Sequence, residues 1–374
     1  MHHQVVSWAG TGWVDATAAI DADVVFAFLD PKLARAGTAF ESLAELYPQA
    51  RIIGCTTGGE IGGGTAHVGG GQAVALGFDR VSIQVEQAVM AGPEASFDVG
   101  RQLGTAVAGD ELCGIFVVSD GARVNGTALV DGLKSALGPH VPINGGLAGD
   151  GDRFGETLVG CDGPMQPGVV VVAAFHGPGL RMRSAYFGGW EPFGPLREIT
   201  AAEGTTLRSL DGRGALELYK RYLGDEAEQL PGAALLYPLE IHPPGRPEEA
   251  VVRTILSIDD AAGTMTFAGD MPVGWKARLM VGQPRDLIDG AARAGECAGG
   301  GGGSPDRFAM LVSCIGRRLL LGQRAGEEVQ AVVRALGNIG HAGFYSYGEI
   351  SGGGASGPCA LHNQTMTVTV FEAA

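Results

Sequence analysis

Carboxylates and glycines recur together along this sequence. Glu60 lies in GGEIGGG (58–64), Asp150 in GGLAGDGD (145–152) and Glu349 in GEISGGG (348–354). Each follows an apolar run of strand length, and the carboxyl ends of strands are where open α/β sheets place their ligands. Converging carboxylates could hold an α-amino group or a cation. Equally, each could accept N–H hydrogen bonds from its own glycine turn. Cys55, Thr57 and Asn144 lie on the same strand ends and join the candidate ligand-binding set.

Other side chains on comparable loops widen that set. Arg317, beside Arg318, follows Ser313-Cys314, and Arg123 occupies the comparable loop upstream. A guanidinium there could grip a ligand carboxylate through two parallel hydrogen bonds, or form a surface ion pair. Tyr345 and Tyr347 share one strand face by period two, as pocket walls or as core. His362 and Asn363 are read as opening the last strand. A strand histidine can ligate haem iron, bind a ligand or be a satisfied structural residue. His67, His176, His242 and His341 are rivals for the haem role. Cys55 and Cys314 end apolar strands where a nucleophile could be exposed, but no histidine stands near either in sequence to activate it. Binding without catalysis is therefore expected, with a cysteine-dependent enzyme as the remaining alternative.

Gly352-x-Gly354-x-x-Gly357 has the spacing of a dinucleotide fingerprint. Such a loop must open a helix, whose N–H groups meet the phosphate. Pro358 and the β-branched LHNQTMTVTV follow instead, which predicts a strand and removes the nucleotide reading.

The elements that position these residues repeat. DVVFAFLD, GTAFESLAELYP and ARIIGCTT read as strand, helix and strand, followed by GQAVALGF and VSIQVEQAV as a hairpin. LCGIFVVSD, GTALVDGLKSALG and VPINGGLAGDGDRF repeat the order, with GVVVVAAFHG and LRMRSAYF as the second hairpin. RFAMLVSCIG, GEEVQAVVRAL and GFYSYGEISGGG form a third copy, closed by ALHNQTMTVTVF. Asp30 and Asp120 align, with Cys314 in their place in the third copy, and Glu60 aligns with Asp150 and Glu349. Between copies two and three, TTLRSLDGRGALELYKRYLG predicts a helix, VVRTILSID and TMTFAGDMPVGWKARLMV predict strands, and Gly299–Gly303 a loop. The expectation is an α/β protein of repeated strand-helix-strand-hairpin units in mixed sheets covered by helices. Two domains are expected, residues 1–200 with two related units and 201–374 with the third unit plus an inserted region.

Composition narrows function. Hydrophobic residues make up 45% and charged residues 18% of the 374, enough for a large core. The net charge of −15 argues against a nucleic-acid partner. No apolar run reaches membrane-span length, and no signal peptide is visible, so neither membrane insertion nor export is expected. Six scattered cysteines without a CxxC pair fit a cytoplasmic protein with reduced thiols and no zinc ribbon.

IIGCTTGGEI, INGGLAGDGDRF, VSCIGRRLLLG and GFYSYGEI…LHNQTMTVTVF, in that order, resemble the FIST (F-box and intracellular signal transduction) family over nearly the whole chain. The resemblance implies a sensory module that binds a small molecule, an amino acid or related metabolite. It implies output through a separate partner such as a histidine kinase, since neither an F-box-like helical extension nor a kinase segment is visible. A subset of the family is similar to haem-binding nitric-oxide sensors. In that alternative haem is the cofactor, non-covalent because no CxxCH is present, and His362 its ligand. Without haem, no cofactor is expected.

Overall fold

The computed structural model describes residues 1–14, 18–230, 232–299, 306–352 and 359–374. Gly354, Gly357 and Pro358 of the glycine pattern, and Gly300–Gly303 of the glycine run, lie outside them.

The wholly apolar run Val24–Leu29 is buried along its length and pairs in parallel with Arg51–Thr56. Burial on both faces is what a strand inside an α/β layer requires. Leu112–Ser119 pairs likewise with Ile143–Leu147, and Arg307–Cys314 with Gly340–Ser346. These three parallel pairs are the hearts of three six-stranded mixed sheets. Asp30, Asp120 and Cys314 are equivalent, because their N–H groups donate to Gly70, Val169 and Thr365 at the same step of each sheet. Asp30 and Asp120 cap the turn that follows by accepting from Lys32 N–H and from Ala122 and Arg123 N–H. Cys314 offers no such cap.

The two expected hairpins do not form. Gly71–Gly77 pairs with Val24–Leu29 and His2–Trp8 in the first sheet, whereas Ser82–Val89 crosses to the second sheet and pairs with Val169–His176. Val169–His176 and Leu180–Phe187 separate in the same way, the latter pairing with Met366–Ala373 in the third sheet. Each short turn therefore ends one unit and opens the next. Each unit also lends a strand from its glycine turn. Glu60–Gly62 joins the third sheet, Val159–Cys161 the first and Gly348–Ser351 the second. At the centre of this exchange three backbone hydrogen bonds close a ring. Gly58 N–H donates to Tyr345 (2.8 Å), Tyr347 N–H to Leu147 (3.1 Å) and Gly149 N–H to Thr56 (3.0 Å). The three units are thus related by a pseudo-threefold arrangement, with an aromatic core between the sheets. Phe28 stacks on Phe344 at 4.8 Å, and Phe116 meets both Phe26 and Phe371.

Helices Ser96–Val107 and Gly126–Leu137 pack as a pair beside the second sheet, and Pro284–Gly299 and Ala325–Ala335 form the corresponding pair beside the third. Ser96–Val107 and Pro284–Gly299 were not expected from sequence. Between Leu180–Phe187 and Pro284–Gly299 the chain makes an eight-stranded sheet of its own, built from strands between Trp190 and Gly282. There the expected helix begins later, at Ala215–Leu223, and Thr206–Leu210 before it is a strand.

Candidate functional site

The returning strand expected from ALHNQTMTVTVF is two strands. Ala360–His362 pairs with Gly348–Ser351 in the second sheet, and Met366–Ala373 lies in the third. His362-Asn363-Gln364-Thr365 is the link between them, and each of its side chains bonds elsewhere. His362 Nε2 lies 3.3 Å from the Ser351 carbonyl, with its ring on that of Tyr186. Asn363 Nδ2 donates to Tyr347 O (3.3 Å), and Gln364 Nε2 to Leu235 O of the inserted region (3.0 Å). Thr365 donates its N–H (3.1 Å) and hydroxyl (2.8 Å) to Glu349. Three of these four are fully or almost fully buried, and Thr365 nearly so.

Glu349 completes this hub. Ser346 Oγ donates to it at 2.6 Å, three residues upstream, as Thr57 Oγ1 donates to Glu60 at 2.7 Å. Across each lent strand the partner is a histidine, His362 opposite Glu349 and His67 opposite Glu60. His67 Nε2 also contacts the carbonyl two residues beyond its glutamate, at Gly62. The two turns are copies in detail. Asp150 does not match them. The ring of hydrogen bonds aligns it with Gly59 and Gly348, one residue earlier. Its carboxylate accepts from Gly155 and Glu156 N–H (both 3.1 Å) and from the Tyr347 hydroxyl, whose ring stacks on Phe154. All three carboxylates are therefore already hydrogen-bonded, Glu349 by Thr365 and Asp150 by Tyr347 as well as by their own turns, and no group of three or more potential metal-ligating side chains occurs among the described residues.

The remaining candidates fall into separate places. Arg317 is fully buried and paired with fully buried Glu328, Nε to Oε1 at 2.6 Å. Ser313 and the Tyr345 hydroxyl also donate to Glu328. Tyr345 and Tyr347 thus send their hydroxyls to different elements and do not wall one pocket. Arg123 is exposed, its backbone N–H on Asp120. Cys55 and Cys314 are buried, and burial pushes both thiols well up, Glu60 and Glu349 respectively adding to the effect. That keeps them as inert thiols. Two grooves of about 490 and 500 Å³ run along Thr38–Leu46, lined by Phe40, Tyr47, Arg51, Glu156 and Pro164, and none of the candidate residues borders them.

None of the five histidines named for haem borders those grooves. His362 faces Ser351 O and Tyr186, His341 Nε2 accepts from Gly64 N–H at 2.9 Å, and His67 and His242 contact backbone carbonyls. His176 Nε2 is buried without a partner, but no groove described above reaches it.

What sets the second sheet apart is a polar face turned toward the core. Asn144 follows the register that places Gly146 opposite Glu349, so it stands opposite Ser351, and Ile143 N–H continues the ladder to Gly352 O at 3.1 Å. Asn144 and Ser351 are fully buried, and among the described residues neither the amide oxygen and nitrogen of Asn144 nor Ser351 Oγ has a hydrogen-bond partner. Asn363 Oδ1 and Gln364 Oε1 in the neighbouring link are also unpaired. Ser351 and Gln364 were not singled out by sequence reasoning. The glycine-turn repeat, extended by two residues past each glutamate, could have found Ser351.

Burial pushes Glu349 up to about 8 and Glu60 up to about 7, outweighing the hydrogen bonds that favour their charged forms. Burial also pushes His362 down to about 3, with Arg253 nearby adding to the shift. Between pH 4.5 and these raised values the folded chain keeps protons that the unfolded chain releases, so stability falls as pH rises. Below pH 6.5 His362 opposes this, because the unfolded chain takes up a proton that the folded one refuses. The three groups together favour stability near pH 5 and a steeper decline above 6.5. From pH 6.5 to 8 Glu349 alone is expected to cost about 2 kcal/mol. Urea unfolding at pH 5, 6.5 and 8 measures it, and Glu349→Gln should flatten the upper limb. A wild-type profile level from 6.5 to 8 would contradict the burial account.

Comparison with known proteins places this architecture. The FIST N domain model matches residues 23–213 and the FIST C domain model residues 215–352. An uncharacterized protein of Mycobacterium bovis is 27% identical over 250 residues, 62% of this chain and 61% of the relative. A second, from Mycobacterium tuberculosis, is 25% identical over 255 residues, 65% of this chain and 64% of the relative. The match thus spans less than two thirds of these relatives' length. No helix among the described residues is long and apolar enough to cross a membrane. With both family models in sequence covering most of its length, the chain belongs to the FIST family, whose domains are associated with sensory functions in signal transduction.

Proposed function

We propose that this protein is a sensory module that binds a small molecule at the His362–Thr365 hub and the adjoining polar face of the second sheet. Of the sequence-predicted residues, we assign Asn144, Glu349, His362 and Asn363 to this site. The observation that carries the reading is the set of buried, unpaired polar atoms on Asn144, Ser351, Asn363 and Gln364. Buried polar groups are almost always hydrogen-bonded, and each exception calls for an explanation such as strain, bound water, an ion or a functional role. The location suits a sensor. The hub bonds to Glu349 of the second sheet, Cys314 of the third and Leu235 of the inserted region at once, so a ligand there acts on all three. The ligand class implied by the family is an amino acid or related metabolite, with output through a separate protein such as a histidine kinase. Binding without turnover fits two candidate thiols held protonated by burial.

Thermal-shift screening of amino acids and related metabolites tests this. A ligand at about 100 times its dissociation constant should add about 2.7 kcal/mol to wild type. Asn363→Ala should lose the response. A complete panel without any shift would count against a small-ligand sensor.

A further inference from the structure

The pseudo-threefold arrangement supplies an internal control for the polar face. In the first sheet the positions matching Asn144 and Ser351 are Ile53 and Cys161, which face each other. In the third sheet they are Ala342 and Gly62, by extension of the register that pairs Phe344 with Glu60. The architecture is built twice with apolar or small residues at this pair of positions. Only in the second sheet does it hold a carboxamide facing a hydroxyl, both fully buried and without partners among the described residues. Nothing in the exchange of strands requires them, and leaving such groups unpaired is costly.

We infer that Asn144 and Ser351 recognise an uncharged group that donates and accepts hydrogen bonds side by side, as a primary carboxamide does. This rests on the small-ligand reading above. A carboxamide matches Asn144 atom for atom, its N–H to Oδ1 and its oxygen to Nδ2, with Ser351 Oγ opposite. The buried Arg253 guanidinium beside the hub directs Nε and Nη1 to carbonyls, Leu361 O at 3.0 Å the nearest, which leaves it poorly placed to receive an anion. A cation finds no free carboxylate, because Glu349 already accepts from Ser346 and twice from Thr365. Tyr186, partly buried, is in ring contact with His362.

Acetamide, acetate and acetamidinium have one shape and three charges, so they test the class directly. Saturation-transfer NMR on the full chain should detect acetamide and neither ion, and Asn144→Leu should weaken acetamide about tenfold, the equivalent of two modest hydrogen bonds. Asn144→Leu should also raise the melting temperature of the free protein, because it installs an apolar side chain as at Ile53. Should that variant fail to fold, Ser351→Ala carries the same binding test. Acetamide binding that survives both substitutions overturns the inference, as does no acetamide signal, or equal signals from all three probes. A metabolite found by the thermal-shift panel whose response is unchanged in Asn144→Leu would leave the sensory reading standing and remove this one.

Discussion

Arg317→Leu is expected to destabilise the protein by about 3–5 kcal/mol, the cost of leaving one charge of a buried pair without its partner. Arg317 and Glu328 are both fully buried, so no water can substitute. The loss extends beyond the pair. Arg317 Nη1 donates to Gly188 O, where the chain leaves the third sheet for the inserted region, and Nη2 donates to Leu287 O at 2.8 Å, just after it returns. The same guanidinium reaches Gln364 O in the hub at 3.3 Å. One side chain thus ties the entry and exit of the inserted region to the link between two sheets. Glu328→Gln alone should be nearly as damaging, because it leaves the guanidinium charged. Arg317→Leu with Glu328→Leu should recover part of the stability, since removing both charges leaves neither uncompensated. Urea unfolding of the two single variants and the double variant measures this. Single variants within 1 kcal/mol of wild type would show that the charges are solvated in solution.

These two residues show what could and could not be seen in the sequence. Arg317 stood out because it follows a strand-ending Ser-Cys pair, but its partner is eleven residues on, across a helix break, with nothing in the periodicity to join them. The parallel pairs were legible because strands buried on both faces read as continuous apolar runs. Their helices were legible from apolar spacing and glycine ends, as at Gly138 after Gly126–Leu137. The destination of each following strand was not. Phe78–Val81 is as short as a hairpin turn, yet the strands around it enter different sheets. Two short adjacent strands predict a hairpin by local rules, but the edge Ser82–Val89 would take is filled by His2–Trp8, and the edge Leu180–Phe187 would take is filled by Ser82–Val89. The matching of Glu60 with Glu349 was visible because the surrounding residues repeat. Asp150 lies one residue out of step, a difference that glycine-rich turns hide from alignment.

The glycines themselves carry the strongest consequence of that exchange. Gly54, Gly145 and Gly343 occupy the same step of the three sheets, opposite Ala27, Val117 and Leu311 of the parallel partner strands. A Cβ on Gly145 would stand 1.9 Å from Val117 O, and one on Gly343 1.8 Å from Leu311 O. Both obstacles are backbone, so neither can rotate away. Gly145 also has φ +141°, a conformation L side chains rarely adopt. Two residues further on lies the Leu147 carbonyl that closes the ring from Tyr347 N–H, so any shift of the strand opens the ring. Gly145→Ala is therefore expected to cost about 2–6 kcal/mol, backbone strain of about 1–3 added to overpacking of about 1–3. Gly138→Ala is the control. It ends a helix at φ +77° with nothing within 4 Å of its Cβ, and should cost about 1 kcal/mol. If the two variants unfold at the same urea concentration, steric closeness between the parallel strands is not what fixes glycine there. If Gly145→Ala alone fails, Gly343→Ala should fail with it, because the third sheet repeats the same close approach around the same ring.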